Sequence, residues 1–219
     1  MAAWITGFPY PGFNCVWLEQ PNPPASAVAA LLDEATGAGV LFTLSLRPGS
    51  DTALADVAAA RRMKPAEDLP LMVLDVTVRA GSVRRAGELA IRQLRPHEAS
   101  AHAKVAAAAF GGPEAMFLPS RDLLWLDGVR CYVAEANGRP VATALGVTAG
   151  EFTAIFNVAT EPTYRRRGFG TALTARAVAD GVLAGASWCW LQASDAGYPV
   201  YRNLGFRTIE TWPYWVSRS

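Results

Sequence analysis

Apolar residues recur along this chain with two periods, and the alternation between them outlines its elements. Residues 13–19 (FNCVWLE) read as a strand and the proline-rich 20–26 (QPNPPAS) as a loop. Ser26 suits the cap of a helix over 27–35, whose apolar positions Val28, Leu31, Leu32 and Ala35 have helical spacing. Gly37 and Gly39 end that helix. Residues 40–46 (VLFTLSL) form a continuous apolar run, the mark of a buried strand, closed by Pro48, Gly49 and Ser50. Asp51 suits an N-cap, and Leu54, Val57 and Ala58 begin a helix that reaches about Met63. Residues 69–76 (LPLMVLDV) give a further strand. The order β-α-β-α-β favours a sheet with parallel crossovers.

Residues 79–88 (RAGSVRRAGE) break the pattern, being polar, holding two glycines and showing no apolar period. They read as a linker between a lobe of residues 1–78 and a second domain over 89–219; the alternative is a surface loop inside one domain. In the second part, 89–94 (LAIRQL) is a strand, and an Ala-rich helix opens near Pro96 and runs to about Phe110. The stretch 113–126 has poor periodicity. Residues 131–136 (CYVAEA) and 141–147 (VATALGV) flank Asn137-Gly138, a pair that tolerates the positive φ angles of a tight turn, and so predict a hairpin. Residues 151–159 (EFTAIFNVA) and 188–193 (WCWLQA) are two more strands.

Composition narrows the function classes. The chain has 219 residues, enough for one or two domains with real cores, and 51% are hydrophobic. Charged residues are 18%, below the usual ~25%. With a positive mean hydropathy this excludes a disordered chain. A net charge of +1 argues against a general nucleic-acid binder, which carries a strong basic excess. Cys15, Cys131 and Cys189 form no C-x-x-C pair, and His97 and His102 stand five apart, so neither a disulfide framework nor a metal site is expected. No apolar run reaches the ~18 residues of a membrane span. The proline-broken start without a positive region does not resemble a signal peptide, so the cytoplasm is the expected location.

The chemistry concentrates in residues 160–173 (TEPTYRRRGFGTAL), where a strand gives way to a basic, glycine-containing turn and then a helix. Such a turn aims backbone N–H groups from a helix N-terminus, where the helix dipole favours an anion. Gly168 and Gly170 permit close approach of a phosphate, and Arg165, Arg166 and Arg167 add positive charge. A Walker loop requires Gly-Lys-Ser/Thr, which is absent, and a dinucleotide fingerprint requires a third glycine where Leu173 stands. The pattern R-x-x-G-x-G fits, at Arg165 to Gly170. Downstream of the 188–193 strand comes Tyr201-Arg202-Asn203-Leu204-Gly205-Phe206, a Y-x-x-x-G-F.

With both motifs in order, the chain from about Leu89 onward resembles the GNAT superfamily of N-acetyltransferases. The resemblance implies a mixed α/β GNAT fold that binds acetyl-CoA as co-substrate and needs no metal. It implies that the amides of Arg166, Arg167, Gly168, Phe169, Gly170 and Thr171, beside Arg165, cradle the pyrophosphate. Val158, Ala159 and Thr160 would hydrogen-bond the pantetheine and thioester through their backbone. Ser194 stands where the family often has a cofactor-contacting Asn, a departure that shortens the reach. Tyr201 matches the tyrosine that commonly acts as general acid. The acceptor implied is a small-molecule or peptide amine, and the assembly a monomer or homodimer, with no nucleic-acid or membrane partner.

A base for the attacking amine is not marked by spacing; Glu98, His97, His102, Glu151 and Asp195 are the candidates. Trp188 and Trp190 share one strand face and read first as core, with an acceptor pocket as the alternative; Trp212 or Tyr214 also stands where the family borders its acceptor. A shift of 143 residues superposes the two halves weakly, pairing Ala58 with Tyr201, Met63 with Phe206 and Pro70 with Pro213. On that reading the first lobe resembles a degenerate acetyltransferase lobe that lacks the first strands of the fold. It could not hold CoA, and it would shape the acceptor groove. The competing function is a non-catalytic acyl-CoA-binding or sensor protein built on the same cradle.

Overall fold

A computed structural model describes residues 1–7, 11–50, 52–77, 89–117, 124 and 126–218. The linker expected over 79–88 and the Asp51 cap lie outside these residues. The chain divides into two compact units, Met1–Leu71 with Glu210–Ser219 and Met72–Ile209.

The first unit holds a five-stranded sheet of order β1-β2-β3-β12-β4. Its strands are β1 (Ala2–Ile5), β2 (Asn14–Trp17), β3 (Thr43–Ser45), β4 (Lys64–Pro65) and β12 (Tyr214–Val216). β1 runs antiparallel to β2, with Ala3 opposite Val16, and supplies a strand that the sequence pattern had not indicated. Helix α1 (Ala25–Gly37) carries the chain back so that β3 lies parallel to β2, with Val16 opposite Leu44. α1 buries Val28, Leu32 and Ala35, and α2 (Thr52–Ala60) buries Leu54 and Ala58. These pack with Val16, Leu18, Leu44 and Met63 into one core, where each fully buried Leu contributes on the order of 2 kcal/mol. Ser26 does not cap α1. The N-cap is Pro24, without a side-chain bond, because the fixed φ of proline already suits a helix start.

The second unit is built on a seven-stranded sheet of order β11-β5-β10-β9-β8-β7-β6. The strands are β5 (Leu69–Asp75), β6 (Ala90–Gln93), β7 (Val129–Ala136), β8 (Arg139–Ala149), β9 (Phe152–Thr160), β10 (Trp188–Gln192) and β11 (Arg207–Trp212). The hairpin turns on Asn137 (φ 52°) and Gly138 (φ 74°), as their residue types predict. Helix α3 (Ala99–Phe110) covers one face, over Leu94, Cys131, Val133 and Leu145. Helices α4 (Phe169–Leu183) and α5 (Tyr198–Leu204) belong to the opposite face, whose core holds Tyr132, Ala144, Ile155, Phe169, Leu173 and Tyr201.

The sheet orders correct the expected lobe boundaries. By pattern alone, 69–76 belongs with the first lobe and everything from 89 onward with the second. Instead β5 lies between β10 and β11, while β12 lies between β3 and β4. Each half thus gives its last strand to the other half's sheet. The shift of 143 residues makes the exchange legible. It carries β3, β4, α1 and α2 onto or beside β10, β11, α4 and α5, and carries Leu71 to Val73 of β5 onto β12. The order β1-β2-β3-β12-β4 then repeats β8-β9-β10-β5-β11 strand for strand. Both final strands are largely apolar, so pattern alone does not assign either of them to one sheet.

Candidate active site

Strand β9 is interrupted. On β8, Thr143 pairs with Ala159 and Leu145 with Phe156, so the single residue Ala144 faces both Asn157 and Val158. This is a β-bulge, and Asn157 absorbs it at φ 49°, a conformation that asparagine tolerates better than most residues. On its other side β9 runs parallel to β10 only through Phe152–Trp188, Thr153–Cys189 and Ala154–Trp190. Beyond Ala154 the ladder stops, although both strands continue. The bulge therefore lies on the open arm of a fork, where β9 has backbone groups that β10 does not pair.

The turn that follows aims at this arm. Arg166 (φ 59°) and Gly168 (φ 87°) both take the left-handed conformation, and Gly168 is the N-cap of α4 with no side-chain bond to the helix. The first intrahelical bond that reaches back runs from Ala172 N–H to the Gly168 carbonyl, so the amides of Phe169, Gly170 and Thr171 are the orphan donors of the first turn. A Cβ built on Gly170 would stand 3.7 Å from Val158 Cγ1, which places the start of α4 directly over the bulge. Uncapped amides, positive dipole and open strand arm converge there, and this arrangement fits an extended anionic cofactor.

The sequence candidates separate by role. The Arg165 guanidinium, though exposed, is engaged by main chain: Nη2 donates to the Ala109 carbonyl at 2.8 Å and Nε to the Thr160 carbonyl at 3.2 Å. It ties the end of α3 to the end of β9 and has little left for a phosphate. Arg167 lies over the Tyr164 ring at 5.1 Å, as does Arg139 at 5.3 Å, and Arg139 also pairs with Glu161 through both guanidinium nitrogens. Arg166 is exposed and has no partner among the described residues. The Phe169 side chain is buried against Tyr164, so only its amide can serve a ligand. Thr171 is half-buried, and Ala159 is buried beside the half-buried Val158 and Thr160. Ser194 is exposed, and its Oγ accepts from the Gly197 N–H at 3.3 Å, shaping the turn into α5.

Tyr201 is 8% exposed, its ring edge-on to Phe206 at 6.1 Å. Its hydroxyl makes no hydrogen bond to a described residue, and burial pushes its pKa up to about 12. A Cβ on Gly197 would stand 2.9 Å from Tyr201 Cε2, so the absence of a side chain at Gly197 is what seats the ring.

The base candidates are differently disposed. His102 is 1% exposed on α3. Its Nδ1 lies 2.9 Å from Thr143 Oγ1, which itself donates to the Tyr132 carbonyl. That donor order puts the imidazole proton on Nδ1 and leaves Nε2 a buried acceptor without a partner. Burial lowers the His102 pKa to about 4. Glu98 is held below the usual carboxylate range by the Arg92 guanidinium at 2.8 Å and by the Arg95 backbone N–H. Neither is arranged to take a proton from an ammonium at neutral pH. Trp188 and Trp190 differ from their first reading as core: Cys189 and Leu191 enter the core, and the tryptophans stand half-buried on the other face.

Among the described residues the first sheet has no such arrangement. Pro23 and Pro24 precede α1 where the shift of 143 places Arg166 and Arg167, and proline has no N–H to donate. β2 stays paired with β3 at Cys15, Val16 and Trp17, and Leu18 N–H continues the ladder to the Ser45 carbonyl. The fork is closed.

The main-chain bonds of Arg165, the bulge and the burial of His102 are not marked by the sequence pattern. Asn157, a polar β-poor residue inside an apolar strand run, was the available signal for the bulge. Residues 127–208 match the family model described as an acetyltransferase (GNAT) domain. A GCN5-related N-acetyltransferase from Kribbella flavida shares the fold with a TM-score of 0.70 at 20% identity, over 96% of this chain and 84% of its own. A GCN5-related N-acetyltransferase from Sphaerobacter thermophilus gives 0.68 at 16%, over 93% and 72%. A conserved protein of unknown function from Staphylococcus epidermidis gives 0.67 at 14%, over 88% and 78%. At 96% and 93% coverage the likeness includes the N-terminal residues as well as the matched domain. No curated protein is a significant sequence match. Among the described residues no helix is long and apolar enough to cross a membrane, and no three His, Cys, Asp or Glu side chains are grouped to hold a metal ion.

Proposed function

We propose that this chain, whose residues 127–208 match an acetyltransferase (GNAT) domain, transfers an acetyl group from acetyl-CoA to the primary amine of a small molecule or peptide. The observation that carries this reading is the uncapped start of α4 set over the bulge on the open arm of the β9–β10 fork. In it, the amides from Gly168 to Thr171 bind the pyrophosphate, and Arg166 adds charge. Arg167 stacks on Tyr164 and stiffens the turn; Arg165 positions the turn without touching the ligand. The backbone of Val158, Ala159 and Thr160 holds the pantetheine arm.

Acetyl-CoA supplies the activated acetyl thioester; the chain supplies orientation and polar groups. The Val158 N–H, at the interrupted ladder, donates to the carbonyl oxygen as negative charge develops there, and a preorganised donor of this kind costs no reorganisation at the moment of reaction. Tyr201 donates toward the departing sulfur. An ordinary thiol has a pKa of roughly 8.5. A phenol near 12 therefore gives up its proton fully only if the same dry surroundings raise the basicity of the thiolate. Its hydrogen bond stabilises the charge in either case.

Calorimetry with acetyl-CoA, followed by measurement of CoA release against a panel of amines, tests the proposal. Binding with turnover supports it. Binding without turnover for any amine would instead favour the sensor reading, in which the cradle is used and Tyr201 only packs.

A further inference from the structure

Along β9 and β10 the residues that face away from α4 and α5 are Phe152, Ala154 and Phe156, with Trp188, Trp190 and Gln192. The face is fixed by register. Phe156 pairs directly with Leu145, which packs beneath α3, and Cys189 and Leu191 point into the core of the α4–α5 face. Phe156 is 40% exposed and Phe152 48% exposed, large values for rings on a central strand. Phe156 and Trp190 stand on opposite arms of the fork and meet edge to face, with centroids 5.5 Å apart and planes at 86°. They lie where the β9–β10 ladder stops, and Phe156 is two residues from Val158 at the bulge.

Resting on the acetyltransferase reading, we infer that Phe156 and Trp190 form a subsite for an aromatic ring, and that the acceptor is an amine carried on a short arm from such a ring. The pair offers a ring face and a ring edge, the two surfaces on which a third aromatic ring packs favourably. The six outward positions include no carboxylate, so nothing on these strand faces would hold the second ammonium of a polyamine or an aminoglycoside. Phe156 stands two residues before Val158, about 7 Å along the strand, so the arm between ring and nitrogen is short.

The full chain is saturated with CoA and titrated calorimetrically with 2-phenylethylamine and, separately, with spermidine; the same amines are then tested for acetyl-CoA turnover. The expected result is saturable binding of 2-phenylethylamine that weakens on the order of 10-fold in Phe156→Ala and Trp190→Ala, with acetyl-CoA affinity unchanged. Trp190→Phe keeps a ring and retains most of the binding. Tighter binding of spermidine, or equal binding of 2-phenylethylamine in wild type and both alanine variants, overturns the inference. Its failure is separable from failure of the acetyltransferase reading. Spermidine turnover with no phenylethylamine binding removes only the ring subsite, and phenylethylamine binding without turnover of any amine removes only the enzymatic reading.

Discussion

Arg165 donates from Nη2 to the main-chain carbonyl of Ala109 at 2.8 Å, joining the last turn of α3 to the turn that opens α4. A second bond from Nε to the Thr160 carbonyl holds the end of β9 to the same side chain. The fork of a planar guanidinium makes both bonds at once, whereas an ammonium is a single point of charge. Arg165→Ala is therefore expected to lower stability by about 1 kcal/mol, as loss of charge-assisted bonds at an exposed site does. Arg165→Lys should recover only part of it. Arg166→Ala should leave urea denaturation unchanged and weaken acetyl-CoA binding a few-fold, with a deficit that shrinks as salt is raised. Equal effects of the two substitutions on stability would contradict this division of labour.

The two glycines of the turn serve different ends. Gly168 holds φ 87°, so Gly168→Ala is expected to cost about 1 kcal/mol of stability through backbone strain. Gly170 is helical, and a Cβ there makes ordinary contact with Val158. Gly170→Asp should keep or slightly raise the melting temperature, because a carboxylate suits the first turn of a helix. The same charge opposes a pyrophosphate, and acetyl-CoA affinity should fall at least ten-fold by calorimetry. A folded Gly170→Asp variant with unaltered affinity would show that the cradle is not where CoA binds.

Tyr201→Phe keeps the ring and its packing on Phe206 while removing the hydroxyl. With a preferred amine in hand, kcat should fall on the order of 100-fold with little change in acetyl-CoA affinity. Burial raises the folded-state pKa to about 12, above an unfolded value near 10, so the associated stability is intact below pH 10 and is lost as pH rises toward 12. The phenylalanine variant should show a shallower alkaline loss of stability over that window. Near-normal turnover would return Tyr201 to a packing role.

His102 supplies the opposite sign. Its folded pKa of about 4 lies below an unfolded value near 6.5, so its contribution is present above pH 6.5 and is lost as pH falls through 4. The shift corresponds to on the order of 3 kcal/mol. His102→Gln retains a donor for Thr143 and cannot protonate. Urea denaturation of that variant should be less stable at pH 7 yet flatter between pH 6.5 and 4. An imidazole resonance that titrates near 6.5 in the folded protein would refute the assignment.

The local features were readable in the sequence because they depend on neighbouring residues. Glycine at 168 and 170 permits the turn, Asn137-Gly138 closes its hairpin, and apolar spacing places α1 and α2 within a few residues of their true ends. The paired motifs around Gly168 and Tyr201 located the candidate site, and the shift of 143 residues disclosed the repeat. Tertiary structure decided what depends on partners far along the chain. β5 and β12 carry similar apolar patterns, so sequence could not tell which sheet each would join; the choice falls to the free edges left when β10 and β3 have paired on their other sides. Arg165 has the same local neighbours in a cradle or a strut, and only the arrival of the Ala109 carbonyl, 56 residues away, selects the strut. His102 is polar by type and buried by its partner Thr143, 41 residues distant. A strand pattern states which side chains share a face, but the point at which two parallel strands part is set by the bulge on one of them and by what packs above it.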